Sequence, residues 1–135
     1  MPRKKKSEEA ESSFKDSIQK EMQTELRGGL TKVVDKEVIL APAVDIYENK
    51  GEYLLVFVMP GLKNDNIKIE IYNNELTVEE KKAKKKAKPK NLILEEIEKK
   101  RYYRKFKLAA DIDVKKISAQ VEDGIVRVTL SKVEG

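Results

Sequence analysis

The 135-residue sequence contains no cysteine and no histidine. Without thiols the chain forms no disulfide, and without imidazole it lacks the commonest general base and the commonest metal ligand. A glycine-rich phosphate-binding loop is also missing, as is any apolar run near the roughly 20 residues that a membrane-spanning helix needs. We therefore expect neither an enzyme nor a protein that holds a metal or another cofactor.

The N-terminal end has a basic run at residues 3–6, but no apolar segment follows it as in a signal peptide. Tryptophan is absent and aromatic residues make up only 6% of the chain, whereas charged residues make up 39%. This length and composition predict one domain with a modest core and a highly charged surface, plus a tail. The simplest compartment for such a chain is the cytoplasm.

Apolar and polar residues alternate in three segments of the C-terminal part, at 102–108, 117–121 and 126–130. Period-two alternation is typical of half-buried strands. Asp123-Gly124 separates the last two segments, and this dipeptide accepts the positive φ angles of a two-residue hairpin turn. The segments 117–122 and 125–130 are therefore predicted to pair antiparallel.

Earlier strands are predicted at 44–47, 53–58, 67–71 and 76–78, with turns at Pro60-Gly61 and Asn73-Asn74. The run 53–58 is apolar throughout, which indicates a central strand covered on both faces. Many short strands joined by tight turns favour an all-β fold, an antiparallel β-sandwich. The carboxylates Asp111 and Asp113 fall in a loop without further metal ligands, so we expect no site there.

A helix is predicted within residues 1–28, because one narrow apolar stripe recurs every four residues and Gly28-Gly29 ends the pattern. The stripe consists of Phe14, Ile18, Met22 and Leu26. A lone helix with so thin a stripe is marginal in water and needs a partner. Two alternatives stay open: a frayed tail, or a segment that contacts another copy or another protein.

The segment 81–101 is long for a connection between neighbouring strands, and loops of that length are usually functional or disordered. It begins with seven lysines in the ten residues 81–90. Such a run is either a solvated loop or a surface for phosphate backbones or anionic lipid. No aromatic residue is interleaved to stack on bases, so we expect no specific nucleic acid. An apolar patch at 92–97, LILEEI, follows the lysines.

Four short motifs resemble those of one family, in the same order and spacing. The run AQVEDGIV at 119–126 resembles the A-x-x-x-n-G-v-L motif of the α-crystallin domain of small heat shock proteins, and Arg104-Lys105-Phe106 resembles its R-x-F motif. Met59-Pro60-Gly61 matches the family's Pro-Gly turn, and 76–78 matches the strand that follows it. The resemblance covers residues from about 42 to 132.

This resemblance implies an immunoglobulin-like β-sandwich with a short helical or disordered N-terminal arm. The arm and its linker are expected at 1–41, the α-crystallin domain at 42–132 and a short end at 133–135. The implied function is a stress-response chaperone, an ATP-independent holdase that binds unfolding client proteins and prevents their aggregation. The alternatives are a CS-domain-like cochaperone that docks on a larger chaperone machine, which would lack a strand-donating loop, and a basic nucleic-acid-binding module.

In bacterial, archaeal and plant members of the family, the long loop carries a strand that pairs with the edge of a partner's sandwich, which implies a homodimer. The residues expected at this interface are Val44, Ile46, Leu92, Ile93, Leu94, Ile97 and Arg104. Arg104 is predicted on the apolar face of its strand, where an unpaired charge is costly. Its guanidinium either extends past the sheet edge or is held by carbonyls or carboxylates at the dimer contact.

Most members of the family end in an I-x-I motif that docks in a groove between two strands and links dimers into large shells. The corresponding groove residues are Ile67, Ile69, Ile71, Ile117, Ala119 and Val121. Val133 has no apolar residue two positions on, so we expect an end without this motif, which leaves a large oligomer in doubt. The segment 38–40 has similar spacing, and it forms either a first edge strand of the sandwich or a ligand for the groove.

Overall fold

The computed structural model describes residues 13–21, 29, 31–34, 37–82, 87–97 and 99–134. These residues form one α-helix, nine β-strands and a single 3-10 turn at Asn64–Asn66. They are the helix α1 (Phe14–Glu21) and the strands β1 (Thr31–Val34), β2 (Glu37–Leu40), β3 (Val44–Glu48), β4 (Glu52–Val58), β5 (Ile67–Tyr72), β6 (Glu75–Glu80), β7 (Lys100–Lys107), β8 (Ile112–Glu122) and β9 (Ile125–Lys132).

The strands form two sheets. One sheet has the order β1-β2-β7-β6-β5, and the other has the order β3-β4-β9-β8. All neighbouring strands are antiparallel except β2 and β7, which run parallel. The sandwich predicted from the alternation of apolar residues is confirmed. Four strands lie at sheet edges: β1 and β5 in the first sheet, β3 and β8 in the second.

The predicted tight turns are also confirmed. Asn73 and Asn74, with φ angles of 52° and 61°, join β5 to β6. Asp123 and Gly124, with φ angles of 52° and 76°, join β8 to β9. Gly61 has a φ of 83°, as the third residue of a type II turn requires. Residues that tolerate the left-handed region therefore set where each pair of strands reverses.

The core lies between the sheets and follows the pleat of β4. Tyr53, Leu55 and Phe57 are buried, whereas Leu54 and Val56 on the opposite face are only half-buried. The prediction that 53–58 is covered on both faces is therefore wrong, because the other sheet packs on one face of β4 alone. The remaining core side chains of the sandwich include Met59, Ile67, Leu76, Val78, Phe106, Leu108, Ile112, Val126, Val128 and Leu130.

The segment 38–40 lies in β2, inside the five-stranded sheet. Ile39 is buried and pairs in parallel register with Arg101, whose guanidinium Nε donates to Glu37 Oε2 over 2.9 Å. The strand alternative is thus confirmed, although β1 rather than β2 forms the outer edge. The alternative in which 38–40 docks between β5 and β8 is wrong, because its backbone is already paired on both sides.

Gly124 lies where the β8–β9 turn approaches the end of β4. The Met59 amide donates to the Gly124 carbonyl over 2.7 Å. A Cβ on Gly124 would lie 2.8 Å from the Met59 carbonyl oxygen and 3.2 Å from Pro60 Cα. Glycine is needed here both for its positive φ and for this backbone contact.

Three glycine-to-alanine variants separate these two effects. We expect Gly51→Ala to change the free energy of unfolding by less than about 0.5 kcal/mol, because nothing lies within 4 Å of its Cβ position. Gly61→Ala should cost about 1–2 kcal/mol through its positive φ alone. Gly124→Ala should cost about 2–4 kcal/mol, because backbone contact adds to the same strain. Urea unfolding would measure all three, and a Gly124→Ala cost no larger than that of Gly61→Ala would contradict the contact.

Candidate functional site

Helix α1 packs its apolar stripe on one end of the sandwich. Phe14 is fully buried, with its ring centroid 5.1 Å from that of Tyr53 and 6.3 Å from that of Phe106, both in edge-to-face geometry. Ile18 packs against the same core. The frayed-tail alternative is therefore wrong for residues 14–21, since this segment finds a partner in its own chain. Met22 and Leu26 lie outside the described residues.

Two side chains accept hydrogen bonds from backbone amides in the first turn of α1: the hydroxyl of Ser13 and the carboxylate of Asp111. Ser13 Oγ accepts from the Asp16 amide over 3.0 Å, which makes Ser13 the N-cap. The Phe14 amide donates to Asp111 Oδ1 over 2.9 Å, and the Tyr53 hydroxyl donates to Asp111 Oδ2 over 2.7 Å. Burial raises the pKa of the Tyr53 phenol, and the hydrogen bond to Asp111 raises it further. Asp111 thus joins the helix to β4.

Sequence reasoning missed the role of Asp111, which it placed in a loop without a site. The pattern Ser13-x-x-Asp16 could have placed the start of the helix, because such caps are visible in sequence. No local signal points to Asp111, since its contact with Phe14 joins residues 97 positions apart.

A cleft of about 200 Å³ lies between α1 and β3. Its lining is mostly apolar and consists of Phe14, Lys15, Ile18, Gln19, Ile46, Glu48 and Tyr53. The Lys15 ammonium crosses from the helix to the Glu48 carboxylate at 3.7 Å. The helix therefore covers the end of the sandwich without filling the space beside β3.

Arg104 is half-buried on β7 and is held within its own chain. Its Nη1 donates to the Pro42 carbonyl over 2.9 Å, and its Cζ lies 4.9 Å from the centre of the Phe106 ring. Burial lowers the pKa of the Arg104 guanidinium, and the negative charge of Glu21 opposes that shift. Burial likewise raises the pKa of the Glu21 carboxyl, against the positive charge of Arg104. The guanidinium is held by a carbonyl, one of the two predicted alternatives, while its place in a dimer stays a prediction.

The apolar patch at 92–97 is exposed and pairs with no strand in the described chain. Ile93 is 98% exposed, Ile97 86% and Leu94 71%. The segment begins in a turn closed by the Leu92 amide and the Pro89 carbonyl, and Lys88 contacts Glu95 at 2.9 Å. These aliphatic side chains are therefore presented to solvent, as a segment that binds elsewhere would be.

The other predicted dimer residues, Val44 and Ile46, lie on the edge strand β3. Both are half-buried and pack on their own core, so that the free edge of β3 offers its backbone rather than these side chains. Tyr47, 51% exposed on the outer face, was not singled out from the sequence. The alternation of β3 would have assigned it to that face.

The predicted groove residues occupy the two edge strands β5 and β8. Ile67 is buried, and the half-buried members of the set pack against the core from these edges; they are Ile69, Ile71, Ile117 and Val121. Ala119 is exposed. Binding of a segment between these strands stays a prediction.

The lysine run has four described members, all exposed: Lys81, Lys82, Lys88 and Lys90. Lys84, Lys85 and Lys86 lie outside the described residues. Among the residues that the structure does describe, no acidic cluster suited to a metal ion is found, and no helix has the length and apolar character to cross a membrane.

Comparison with known proteins gives one family. A family model described as "Hsp20/alpha crystallin family" matches residues 45–135. A 17.6 kDa class II heat shock protein of Arabidopsis thaliana is 31% identical over 102 residues, which are 73% of this chain and 66% of that protein. Small heat shock protein C4 of Rickettsia felis is 36% identical over 101 residues, which are 71% of this chain and 60% of that protein. The aligned part of the chain thus spans less than two thirds of the length of these relatives.

Solved structures show the same fold. Heat shock protein 16.0 of Schizosaccharomyces pombe aligns with a TM-score of 0.56 at 26% identity, over 70% of this chain and 89% of that one. A small heat-shock protein of Xylella fastidiosa aligns with a TM-score of 0.58 at 21% identity, over 70% of this chain and 88% of that one.

Substitution of Asp111 tests the attachment of α1. Asp111→Asn should lower the free energy of unfolding by about 1–3 kcal/mol, because a neutral amide replaces a charged acceptor of two hydrogen bonds. Asp113→Asn is the matched control: among the described residues its carboxylate accepts a hydrogen bond from the exposed Lys115 amide alone, so we expect a loss of about 0.5 kcal/mol. Urea unfolding gives both values, and hydrogen exchange at the Phe14 amide should quicken in Asp111→Asn alone. Equal losses in the two variants would contradict the role of Asp111.

Proposed function

The chain belongs to the Hsp20/alpha crystallin family of small heat shock proteins, and on that premise we propose that it is an ATP-independent holdase. Proteins of this family are chaperones and generally not enzymes. In this proposal the chain binds apolar segments of unfolding proteins in the cytoplasm under stress and prevents their aggregation. The observation that carries the proposal is that β5 and β8, the strands of the predicted groove, are both open sheet edges in the described part of the chain.

Exposed aliphatic groups supply the binding energy that a holdase needs. Burying one isoleucine against a client contributes about 1.5–3 kcal/mol before the cost of ordering. Ile69, Ile71 and Ile117 on β5 and β8 are only half-buried, so each still has surface available for such burial. The high share of charged residues, 39%, supports solubility once a client is bound.

Neither alternative function gains a specific observation in its favour. A nucleic-acid-binding module would use the lysine run, but Lys88 is engaged by Glu95 and no aromatic side chain accompanies the run. A CS-domain-like cochaperone would lack a strand-donating loop, whereas this chain has an extended exposed segment at 92–97.

We further propose that the holdase is a homodimer in which 92–97 of one protomer pairs with β3 of its partner. An open strand edge is a template for pairing, and a reciprocal exchange closes under two-fold symmetry. β3 supports this assignment because it is an edge strand of its sheet, and its outer side pairs with no other strand of the described chain.

The holdase activity is tested by light scattering of a client protein during heating. A molar excess of the chain should suppress the scattering equally with and without ATP, because binding needs only exposed apolar surface. An unrelated folded protein of similar size and charge is the control. Scattering that stays unchanged at every ratio and temperature would disprove the proposal.

The dimer is tested by placing charges in the donated segment. Ile93→Asp with Ile97→Asp should give a folded monomer, because carboxylates cannot enter an apolar contact without a large desolvation cost. The control, Val114→Asp with Val133→Asp, adds the same charge at two exposed valines outside the donated segment and should leave the dimer intact. Sedimentation velocity measures both. A dimer that survives the first pair of substitutions would exclude this segment as the contact.

A further inference from the structure

Helix α1 covers an apolar end of the sandwich and leaves a cleft of about 200 Å³ beside it. We propose that this end, formed by Tyr53, Phe106, Ile46 and Asp111, is a binding site for short amphipathic helices that carry an aromatic residue in their first turn. In the resting chain the site is occupied by α1 itself. The identification of the outside ligands as client segments rests on the proposed holdase function.

The aromatic part of the site recognises a ring rather than a particular sequence. Phe14 is fully buried, and its ring is in edge-to-face contact with those of Tyr53 and Phe106 at centroid distances of 5.1 and 6.3 Å. Both partners belong to the sandwich, on β4 and β7, so the pocket is built by the domain and not by the helix. Any segment that presents an aromatic side chain to it could make the same contacts.

The polar part of the site, the Asp111 carboxylate, binds a backbone amide of the ligand rather than a side chain. Asp111 Oδ1 accepts the Phe14 amide, while the Tyr53 hydroxyl holds Oδ2 in place. A carboxylate at the start of a helix is favoured by the helix dipole whatever the side chains are. Together, the ring pocket and the carboxylate select a helix that begins with an aromatic residue and tolerate variation elsewhere.

The resting occupant fits the site incompletely. The cleft of about 200 Å³ beside Ile18 and Ile46 is left unfilled by α1. The Lys15–Glu48 ion pair that crosses it is 3.7 Å long, with side chains 56% and 38% exposed, so it adds little. A helix as short as Phe14–Glu21 is marginal on its own. A ligand with a bulkier residue at the position of Ile18 would bury more surface than α1 does.

The release of α1 is tested by locking it in place. Lys15→Cys with Glu48→Cys introduces the only two thiols of the chain, at positions whose side chains already meet across the cleft. A short bis-maleimide then ties the helix to β3, and the same variant capped with N-ethylmaleimide is the reference. The probe is a fluorescein-labelled synthetic peptide with the sequence of residues 13–21. Fluorescence anisotropy measures its affinity for the full-length chain in both forms.

We expect the cross-linked form to bind the peptide at least about ten-fold more weakly than the capped form, because the binding-competent fraction falls. Phe14→Ala should act in the opposite direction and tighten binding at least about ten-fold, since the tethered competitor loses its ring. A peptide with alanine in place of the phenylalanine should bind neither form. Equal affinity of the cross-linked and capped forms would overturn the proposal, whether or not Phe14→Ala folds.

The peptide-binding measurement and the holdase assay test different proposals. Suppression of client scattering by the unmodified chain tests the proposed function, whereas the peptide measurement tests the site. If the unmodified chain suppresses scattering but cross-linking changes neither peptide affinity nor suppression, the holdase stands and the site is overturned. If cross-linking lowers peptide affinity and no form suppresses scattering, the site stands and the holdase function fails.

Discussion

The ring of Phe106 is the contact on which both sheets and the helix depend. It is 2% exposed, and its centroid lies 6.0 Å from Phe57 in the opposite sheet and 6.3 Å from Phe14 of α1. Arg104, two residues earlier on the same strand, places its guanidinium over the same ring. Close-packed interiors do not refill around a missing ring, so the sheet-to-sheet contact and the helix contact would be lost together. A chain with only 6% aromatic residues concentrates much of its packing at this one point.

The described chain leaves both strand edges and aliphatic side chains exposed at its surface. The sandwich buries one face of each sheet. The outer strands stay open edges: β3 and β8 in one sheet, β1 and β5 in the other. Among the described residues, four exposed large aliphatic side chains lie together at 92–97, whereas the others, Val33, Val58, Val114 and Val133, lie singly elsewhere. Grouped apolar exposure and unpaired strand edges are both costly for a monomer and useful for binding. The proposed dimer and the proposed holdase thus use strand edges that are unpaired and apolar side chains that are exposed in the single chain.

The parts of the fold that were predictable from sequence are those set by local chemistry. Asp123-Gly124 and Asn73-Asn74 determine their turns by their own φ preferences, and alternation then assigns the faces of the paired strands. The parallel pairing of β2 with β7 was not predictable, because it depends on contacts such as Arg101 to Glu37, 64 positions apart. The same holds for Asp111, whose partner Phe14 is still farther away in sequence. Periodicity placed Phe14 on an apolar stripe but could not say which surface would bury it.

Arg104 interacts with the segment before β3 and with the end of α1, which belong to the two proposed interaction surfaces. The Pro42 carbonyl that it holds lies in the segment between β2 and β3, next to the start of the edge strand. The Glu21 carboxylate that acts on its charge lies at the last residue of α1. Because both the entry to β3 and the end of the helix use one guanidinium, a change in either alters the environment of a partly buried charge. Such a charge is costly unless its partners stay in place, which predicts an energetic coupling between α1 and the start of β3 through this residue.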